Sequence, residues 1–543
     1  MPTFDASFND FEKLVGVKLP KNKEKLWKKL LSVKTEIEEL NLKKDIIKFE
    51  PADSNRPDMW HVEGLARALK GAMGLEKGIP KYKIKQSNNK VIVKKNVKKI
   101  RPFIACASVK KIEFDDFLIK QLMQLQLKID GSYGRKRKKS SIGIYNLDLI
   151  SFPITYKAVK KDEASFIPLG FEKKMTPQEI LNEHPKGIEY GKILSEKKKV
   201  PILIDSNKKI LSMPPIINSN DVGKITTDTK NVFIEVTGEN YDAVIGTLNF
   251  VITALADRGG LIESVQINYG KKTIITPDVS CKKITVKKES IIKNLGMQWS
   301  DSQLKELFLK ARFDVLKISS KNIELKIPFY RTDIMHEFDA IEDLAVIYGF
   351  ENIESESLEL STKGELLPES LLNNKIRDLI IGMGFLEILN YNRCDKEILF
   401  NKECIEIENP IGITMNVLRN ELLPITLNWL SKNTHYEYPQ NVFELGKIFL
   451  KKKNEIIEQY HVSIVSAHSQ ADFTQIKQLT QWILNNLSIK YELKEYEHEA
   501  FIKGRCAGIY SKNKLIGYFG EIKPKTIIDF KMETPICAME LII

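Results

Sequence analysis

Paired cysteines, patterned histidines and long apolar runs are all missing from this sequence, and each absence closes off a class of protein. The six cysteines (Cys106, Cys281, Cys394, Cys404, Cys506 and Cys537) include no CxxC pair, and the seven histidines show no HxxxH spacing. That argues against a structural zinc site and a disulfide framework, and fits a reducing cytosol. No apolar run is long enough to span a bilayer, and the opening MPTFDASFND is too acidic and polar for a signal peptide. There is no phosphate-binding P-loop, and no convincing nucleophile–base pair can be assembled.

What is present describes a multidomain α+β chain. Its 543 residues are too many for one core. Hydrophobic content of 43% and aromatic content of 9% suit a folded protein. The formal charge of +13, from 84 basic and 71 acidic residues, suits a polyanionic partner such as RNA, although scattered lysines give the same balance. Early in the chain, Lys21 to Leu40 is amphipathic, with Leu26, Leu30 and Ile37 as buried positions. Asp53-Ser-Asn-Arg-Pro-Asp58 reads as a capping cluster opening a helix from about Met59 to Met73. A helix is expected near Asp115 to Ile129, followed by five consecutive basic residues, Arg135 to Lys139. With Tyr133 and Tyr145 beside it, this loop could grip a phosphate backbone and stack on bases, or simply be solvated.

Downstream, a capped helix is expected to end at Pro185, and Leu211 to Ser219 contains Pro214 and Pro215. The prolines predict a rigid extended wall, and an Asn at its end suits a small-molecule pocket. A strand is expected over Asn231 to Val236 and a helix over Tyr241 to Ala256.

The stretch Phe329 to Phe350 is the most informative. An alternating strand (Ile323, Leu325, Ile327, Phe329) leads into it, and a helix follows with Ile341, Leu344, Ala345 and Tyr348 on one face. Gly349 stands where a left-handed cap is expected. Asp339, Glu342 and Asp343 share a helix face, and Asp333 lies at the corner before it. With only oxygen ligands on offer, the matching cation is Mg²⁺ rather than Zn²⁺. The same acids would equally serve the helix dipole, with Asp333 capping a turn.

The pattern PxYRxDIxxxxDxIEDxAxxYGxxNI, Pro328 to Ile353, resembles the signature of the phenylalanine–tRNA ligase β subunit family, archaeal and eukaryotic type. DSNRPDMWHVEGLARAL resembles the family's N-terminal domain, and EASFIPL, QEILxEHPKGxEYG, SMPPIINS and TKNVFIE resemble its editing domain. The resemblance implies an N-terminal domain (1–85), an editing-like domain (86–270), a small winged-helix-like module with the acidic cluster (271–355) and a degenerate class II ligase core (356–543), an antiparallel sheet with helices. It implies a Mg²⁺ site at Asp333, Asp339, Glu342 and Asp343 shared with the α subunit. ATP is implied as the substrate of a cytoplasmic complex of two α and two β chains that charges phenylalanine tRNA. The module's helix is not notably basic, so no DNA binding is inferred.

The editing domain's implied activity is hydrolysis of tyrosine wrongly attached to that tRNA. Asn218 is placed to recognise the phenolic hydroxyl, with Ser219, Glu235 and Tyr145 in the same pocket. One departure stands out. The family's usual GTHDLD reads Gly143-Ile-Tyr145-Asn146-Leu-Asp148 here, so an editing-inactive, tRNA-binding scaffold is the rival reading. For ligation, class II enzymes use an Arg-x-Glu strand and a later strand ending in Glu-Arg. This chain has Phe443-Glu444-Leu-Gly and Gly520-Glu521-Ile-Lys, and Arg505 lies on an earlier strand. Synthesis is therefore expected on the α subunit.

Overall fold

The structure, a computed structural model, describes residues 3–355, 357, 362–453 and 455–543. The chain forms two compact units, Met1–Ser357 and Leu358–Ile543.

The first unit opens with a three-stranded sheet in the order Phe4–Ala6, Ile46–Pro51, Thr35–Asn41. Leu26, Leu30 and Ile37 are all buried, but they do not share one helix. The helix Lys23–Leu30 stops before Lys34, which takes a left-handed φ of 48°, and Ile37 lies on the strand that follows. Alternating burial and β-branching at Val33, Thr35 and Ile37 favour the strand. The helix expected from Met59 begins only at Val62. Its cap is His61, whose Nδ1 accepts from Gly64 N at 3.2 Å. Asp58 is instead buried in a two-pronged pair with Arg56, at 2.9 and 2.8 Å.

The middle of this unit is an 11-stranded mixed sheet. Three of its strands, Phe103–Lys110, Val232–Gly238 and Ser140–Asn146, alternate their side chains between two cores. Val232, Ile234 and Val236 pack under the helices Asp116–Gly131 and Tyr241–Asp257. Phe233 packs with Cys106, Tyr145 and Leu211 on the opposite face. The sheet curls until its ends approach. Ser140–Asn146 is the last strand on one side, and the hairpin of Ile210–Met213 with Ile217–Asn218 is the other end. Asn218 Nδ2 donates to Ile144 O across the gap at 3.2 Å. The stretch read as an extended wall is thus a tight hairpin. Nor does the helix before Pro185 simply end there: Pro185 occupies the first turn of a second helix, Pro185–Tyr190, where a missing N–H costs nothing.

Next comes a three-stranded sheet in the order Lys283–Lys287, Asn322–Lys326, Asp314–Ile318. The helices Asp301–Lys310 and Glu337–Tyr348 pack on it around Phe308, Phe313, Leu325 and Leu344. Ser300 and Gln303 form the expected capping box. The central strand ends at Lys326 rather than continuing to Phe329. Gly349 has a positive φ of 91° but a ψ of 120°, so it is not a left-handed helical cap.

The second unit is built on a seven-stranded sheet. All its neighbours are antiparallel except the edge strand Leu386–Glu387, which runs parallel to Gln440–Lys452. The helices Pro368–Gly382 and Phe473–Asn486 pack on one core, and Leu423–Ser431 on a second.

Candidate functional site

Glu235 is the residue around which the site is built. It lies opposite Gly143 in the edge strand and opposite Cys106 on the other neighbour. Its Oε1 accepts from the Tyr145 hydroxyl at 3.0 Å, and that hydroxyl is 2.8 Å from Ser212 Oγ on the far hairpin. A Cβ at Gly143 would stand 2.4 Å from the Tyr145 oxygen and 2.6 Å from Glu235 Oε1, so only glycine leaves room for the pair. Glu235 is 2% exposed, and its Oε2 has no hydrogen-bond partner. It lines a cavity of about 330 Å³ where the two ends of the sheet meet. Leu122, Ile142, Ile144 and Ile216 supply apolar wall, and Asn218 and Gln126 supply amides. An apolar pocket with a few convergent polar groups is the usual form of a small-molecule site.

Burial pushes the Glu235 carboxyl up to about 8, against the pull of the Tyr145 hydroxyl and the Arg101 guanidinium. Between about 4.5 and about 8 an unfolded chain has released this proton while the folded chain keeps it. The folded state binds more protons there, so stability falls as pH rises through that window and levels off above it. Glu235→Gln, neutral throughout, is expected to remove this slope. Its melting temperature should gain steadily on the unmodified chain from about pH 4.5 to about pH 8; parallel melting-temperature curves would refute the assignment.

The other pocket residues expected from the sequence divide. Asn218 lines the cavity. Tyr145 stands behind the wall, fully buried, and reaches the site only through Glu235. Ser219 is also buried, but its Oγ accepts from Asp221 N at 3.2 Å as the cap of a short helix. Asn146 likewise serves a local turn, accepting from Asp148 N at 3.1 Å. Sequence reasoning missed Ser212 and Arg137. Ser212 carried no signal beyond its place in SMPPIINS.

Arg137 was hidden in the basic run. It is buried, not displayed: Nη1 donates to Pro215 O at 3.1 Å and Ile216 O at 2.8 Å, and Nε lies 3.0 Å from Asp130. Its guanidinium also stacks 4.2 Å over Tyr190. Arg135, Lys136 and Arg137 all take positive φ, and the tight turn points Arg137 inward. Tyr133 packs edge-on against Phe250 and Tyr145 is buried, so neither ring is free to stack on a base. The loop's central arginine is a clamp on the hairpin.

The acidic helix is arranged differently from the sequence expectation. Arg331 takes Asp333 at 2.8 and 2.6 Å, and approaches Asp343 at 2.9 Å. Glu342 pairs with Lys34 of the N-terminal sheet region. Asp339 Oδ2 accepts from Met335 N at 2.7 Å and His336 N at 2.8 Å, the reach-back half of a capping box. Among the described residues, no group of three or more His, Cys, Asp or Glu side chains could hold a metal ion. The four carboxylates do not fit Mg²⁺ here, because cationic side chains and backbone N–H groups already neutralise them. The helix-capping alternative describes Asp339, and ion pairing describes the other three.

In the second unit, the strand matched to the ligase Arg-x-Glu strand does meet an arginine, but from elsewhere. Arg419, buried, is paired with buried Glu444, and its Nε donates to Lys447 O at 2.9 Å. A Cβ on Gly446 would come within 2.4 Å of Arg419 Nη2. Arg505 pairs with Glu521 at 2.7 Å on the exposed hairpin. Arg419 is thus spent inside the fold and is not free to grip a phosphate.

Comparison with known proteins agrees along the whole length. The beta subunit of phenylalanine–tRNA ligase from Pyrococcus horikoshii is 40% identical over 100% of this chain and 99% of the relative. The chain belongs to the phenylalanine–tRNA ligase beta subunit family. The same subunit from Methanococcus maripaludis is 37% identical over 100% of both chains. A family model described as the phenylalanyl tRNA synthetase beta chain CLM domain matches residues 353–543, and one described as the tRNA synthetase B5 domain matches residues 284–350. The crystal structure of an N-terminal fragment of the phenylalanyl-tRNA synthetase beta-subunit from Pyrococcus horikoshii aligns with a TM-score of 0.62 and 43% identity, over 64% of this chain and 99% of that one. As a phenylalanine–tRNA ligase beta subunit, the chain is part of an aminoacyl-tRNA ligase complex whose other partner is an alpha subunit. Among the described residues, no helix is long and apolar enough to cross a membrane.

Proposed function

We propose that this β subunit supports ATP-dependent attachment of phenylalanine to its tRNA by the α subunit, and hydrolyses tyrosine wrongly attached to that tRNA. The observation that carries the editing half is Glu235: a buried carboxyl whose free oxygen heads an apolar cavity large enough for a tyrosine side chain. A phenolic hydroxyl satisfies that oxygen; the ring of phenylalanine leaves it without a partner, which is costly in an apolar wall. Glu235 thus takes the discriminating role, and Asn218, whose Nδ2 already serves Ile144 O, assists. The pocket holds no activated nucleophile, so its part is to bind and orient the ester while water attacks. Lys224 stands exposed on the pocket rim, where it can meet the tRNA end, and the net charge of +13 suits the rest of that polyanion.

Synthesis falls to the α subunit because Arg419 is committed to Glu444. Mg²⁺ belongs to this reading only as the companion of ATP. The face offered to the α subunit is the apolar edge of the second unit. Leu371 and Ile381 on the helix Pro368–Gly382 are exposed, as are Leu386, Leu389 and Tyr391 at and after the edge strand. An unpaired edge beside exposed apolar side chains is normally covered. Two α and two β chains, in the cytoplasm, complete the assembly.

Leu389→Asp is expected to weaken α–β association by tenfold or more (about 1.4 kcal/mol per factor of ten), read by the mass of the purified complex. An unchanged complex would remove this face from the interface. Two assays test the function itself. The chain alone should not charge tRNA, whereas the αβ complex should; robust activity of the lone chain rejects the division of labour. The complex should also release tyrosine from mischarged tRNA faster than uncatalysed decay. Absence of any acceleration would favour the rival scaffold reading, which the replacement of the family's His by Tyr145 supports.

A further inference from the structure

Tyr145 lies among buried groups that the proposed editing chemistry does not use directly, yet it touches the one that matters. A phenol has a single proton to give, and both Ser212 Oγ and Glu235 Oε1 lie within hydrogen-bond reach, at 2.8 and 3.0 Å. Two directions are possible for this chain. In one, Ser212 donates to Tyr145 and Tyr145 donates to Oε1, which forces the proton of a neutral Glu235 onto Oε2. In the other, Glu235 donates from Oε1 through Tyr145 to Ser212, and the Ser212 proton is left without an acceptor. Ser212 is 1% exposed and has no second hydrogen-bond partner, so an unmet proton there is costly. Oε2 faces a cavity that can hold a partner. The first direction is therefore the stable one.

We infer that Tyr145, held by Ser212, is a positioning residue that directs the Glu235 proton onto Oε2, so that the pocket offers a hydrogen-bond donor to an oxygen on the para position of an aromatic ring. This rests on the reading of the cavity as a tyrosine-editing pocket. It gives the change from the family's histidine a definite consequence: a hydrogen-bond direction set by a phenol that stays protonated, since burial and the Glu235 charge raise Tyr145 well above its ordinary range. The other titratable or charged groups around Glu235 are Cys106 and Tyr156 on neighbouring strands, Arg101 before the strand Phe103–Lys110, Asp130 at the end of the helix Asp116–Gly131, and Arg137, Lys186 and Lys224 on the cavity wall. Arg101 is committed to Thr237 and Ser141, and Arg137 to Asp130 and the hairpin carbonyls. Neither supplies Oε2 with a donor.

The test uses the full chain with its α subunit and three small probes: p-cresol, 4-methylanisole, which can only accept, and toluene, which can do neither. Binding is followed by calorimetry from about pH 6 to about pH 9. In the unmodified complex, 4-methylanisole should bind roughly fivefold tighter than toluene at low pH, and that advantage should vanish above about pH 8, where the proton leaves. Tyr145→Phe removes a donor that favours the ionised carboxyl, so the pH of loss should move upward. Loss at the same pH in both proteins overturns the inference while leaving the pocket's function intact. Ser212→Ala gives an independent reading. It frees Tyr145 to accept from Oε1, and the 4-methylanisole advantage should shrink even at low pH; an unchanged advantage overturns the inference. If p-cresol never outbinds toluene and mischarged tRNA is not hydrolysed, the pocket reading itself fails and takes this inference with it.

Discussion

Glu235→Ala is expected to slow hydrolysis of tyrosine-charged tRNA by roughly ten- to a hundredfold, while phenylalanine attachment by the αβ complex is unchanged. The magnitude follows from losing one hydrogen bond to a buried substrate hydroxyl, about 1–3 kcal/mol when the orphaned group stays in an apolar wall. The direction follows from position: Glu235 is the pocket residue with a buried, unpartnered oxygen, and the walls around it are apolar. Asn218→Ala should cost less, because its amide is already engaged with Ile144 O at 3.2 Å. The measurement is the rate of tyrosine release from mischarged tRNA by each variant complex. Equal rates for Glu235→Ala and the unmodified complex would strip Glu235 of its role, and a larger loss in Asn218→Ala would return discrimination to the asparagine.

Arg331→Met is expected to destabilise the first unit by about 3–5 kcal/mol, because it leaves buried carboxylates without their cation. Arg331 is 3% exposed in its side chain, Asp333 5% and Asp343 16%, so water cannot take its place. The guanidinium also lies 5.7 Å over the Phe313 ring at the centre of the module's core. Thermal melts measure the loss. Adding Mg²⁺ should not restore the variant, nor raise the melting temperature of the unmodified chain through these residues. If millimolar Mg²⁺ stabilised the unmodified chain and the double change Asp339→Ala with Glu342→Ala abolished that effect, the carboxylates would be metal ligands after all.

Both predictions concern partners that lie far apart along the chain. The acidic helix was plain in the sequence: the apolar spacing of Ile341, Leu344 and Ala345 and the early carboxylates place it, and the helix Glu337–Tyr348 is where that pattern requires. Which cation answers each carboxylate was not plain. Lys34 reaches Glu342 from 308 positions away. An isolated run of acids reads as a metal site or as a cap with equal ease, because repulsion among carboxylates says only that something must neutralise them. The basic run misled for the opposite reason. Five positive residues look like surface, yet a turn of positive-φ residues carries Arg137 into the fold.

Local pattern therefore determined a great deal here. Helix caps, the alternation of Val232 to Val236, the absence of ligase arginines at their usual strand positions and the family signature all depend on residues a few places apart, and they are legible without coordinates. The curl of the 11-stranded sheet is another matter. It joins Tyr145 to Ser212, 67 positions away, and to Glu235, 90 positions away, and it turns Arg419 onto Glu444 have no counterpart in any local rule — that last pair belongs to the second sheet, where the same principle holds across 25 positions. Hydrogen-bond partners and buried charges are chosen by register, twist and the space a glycine leaves open, and these exist only once distant strands have met.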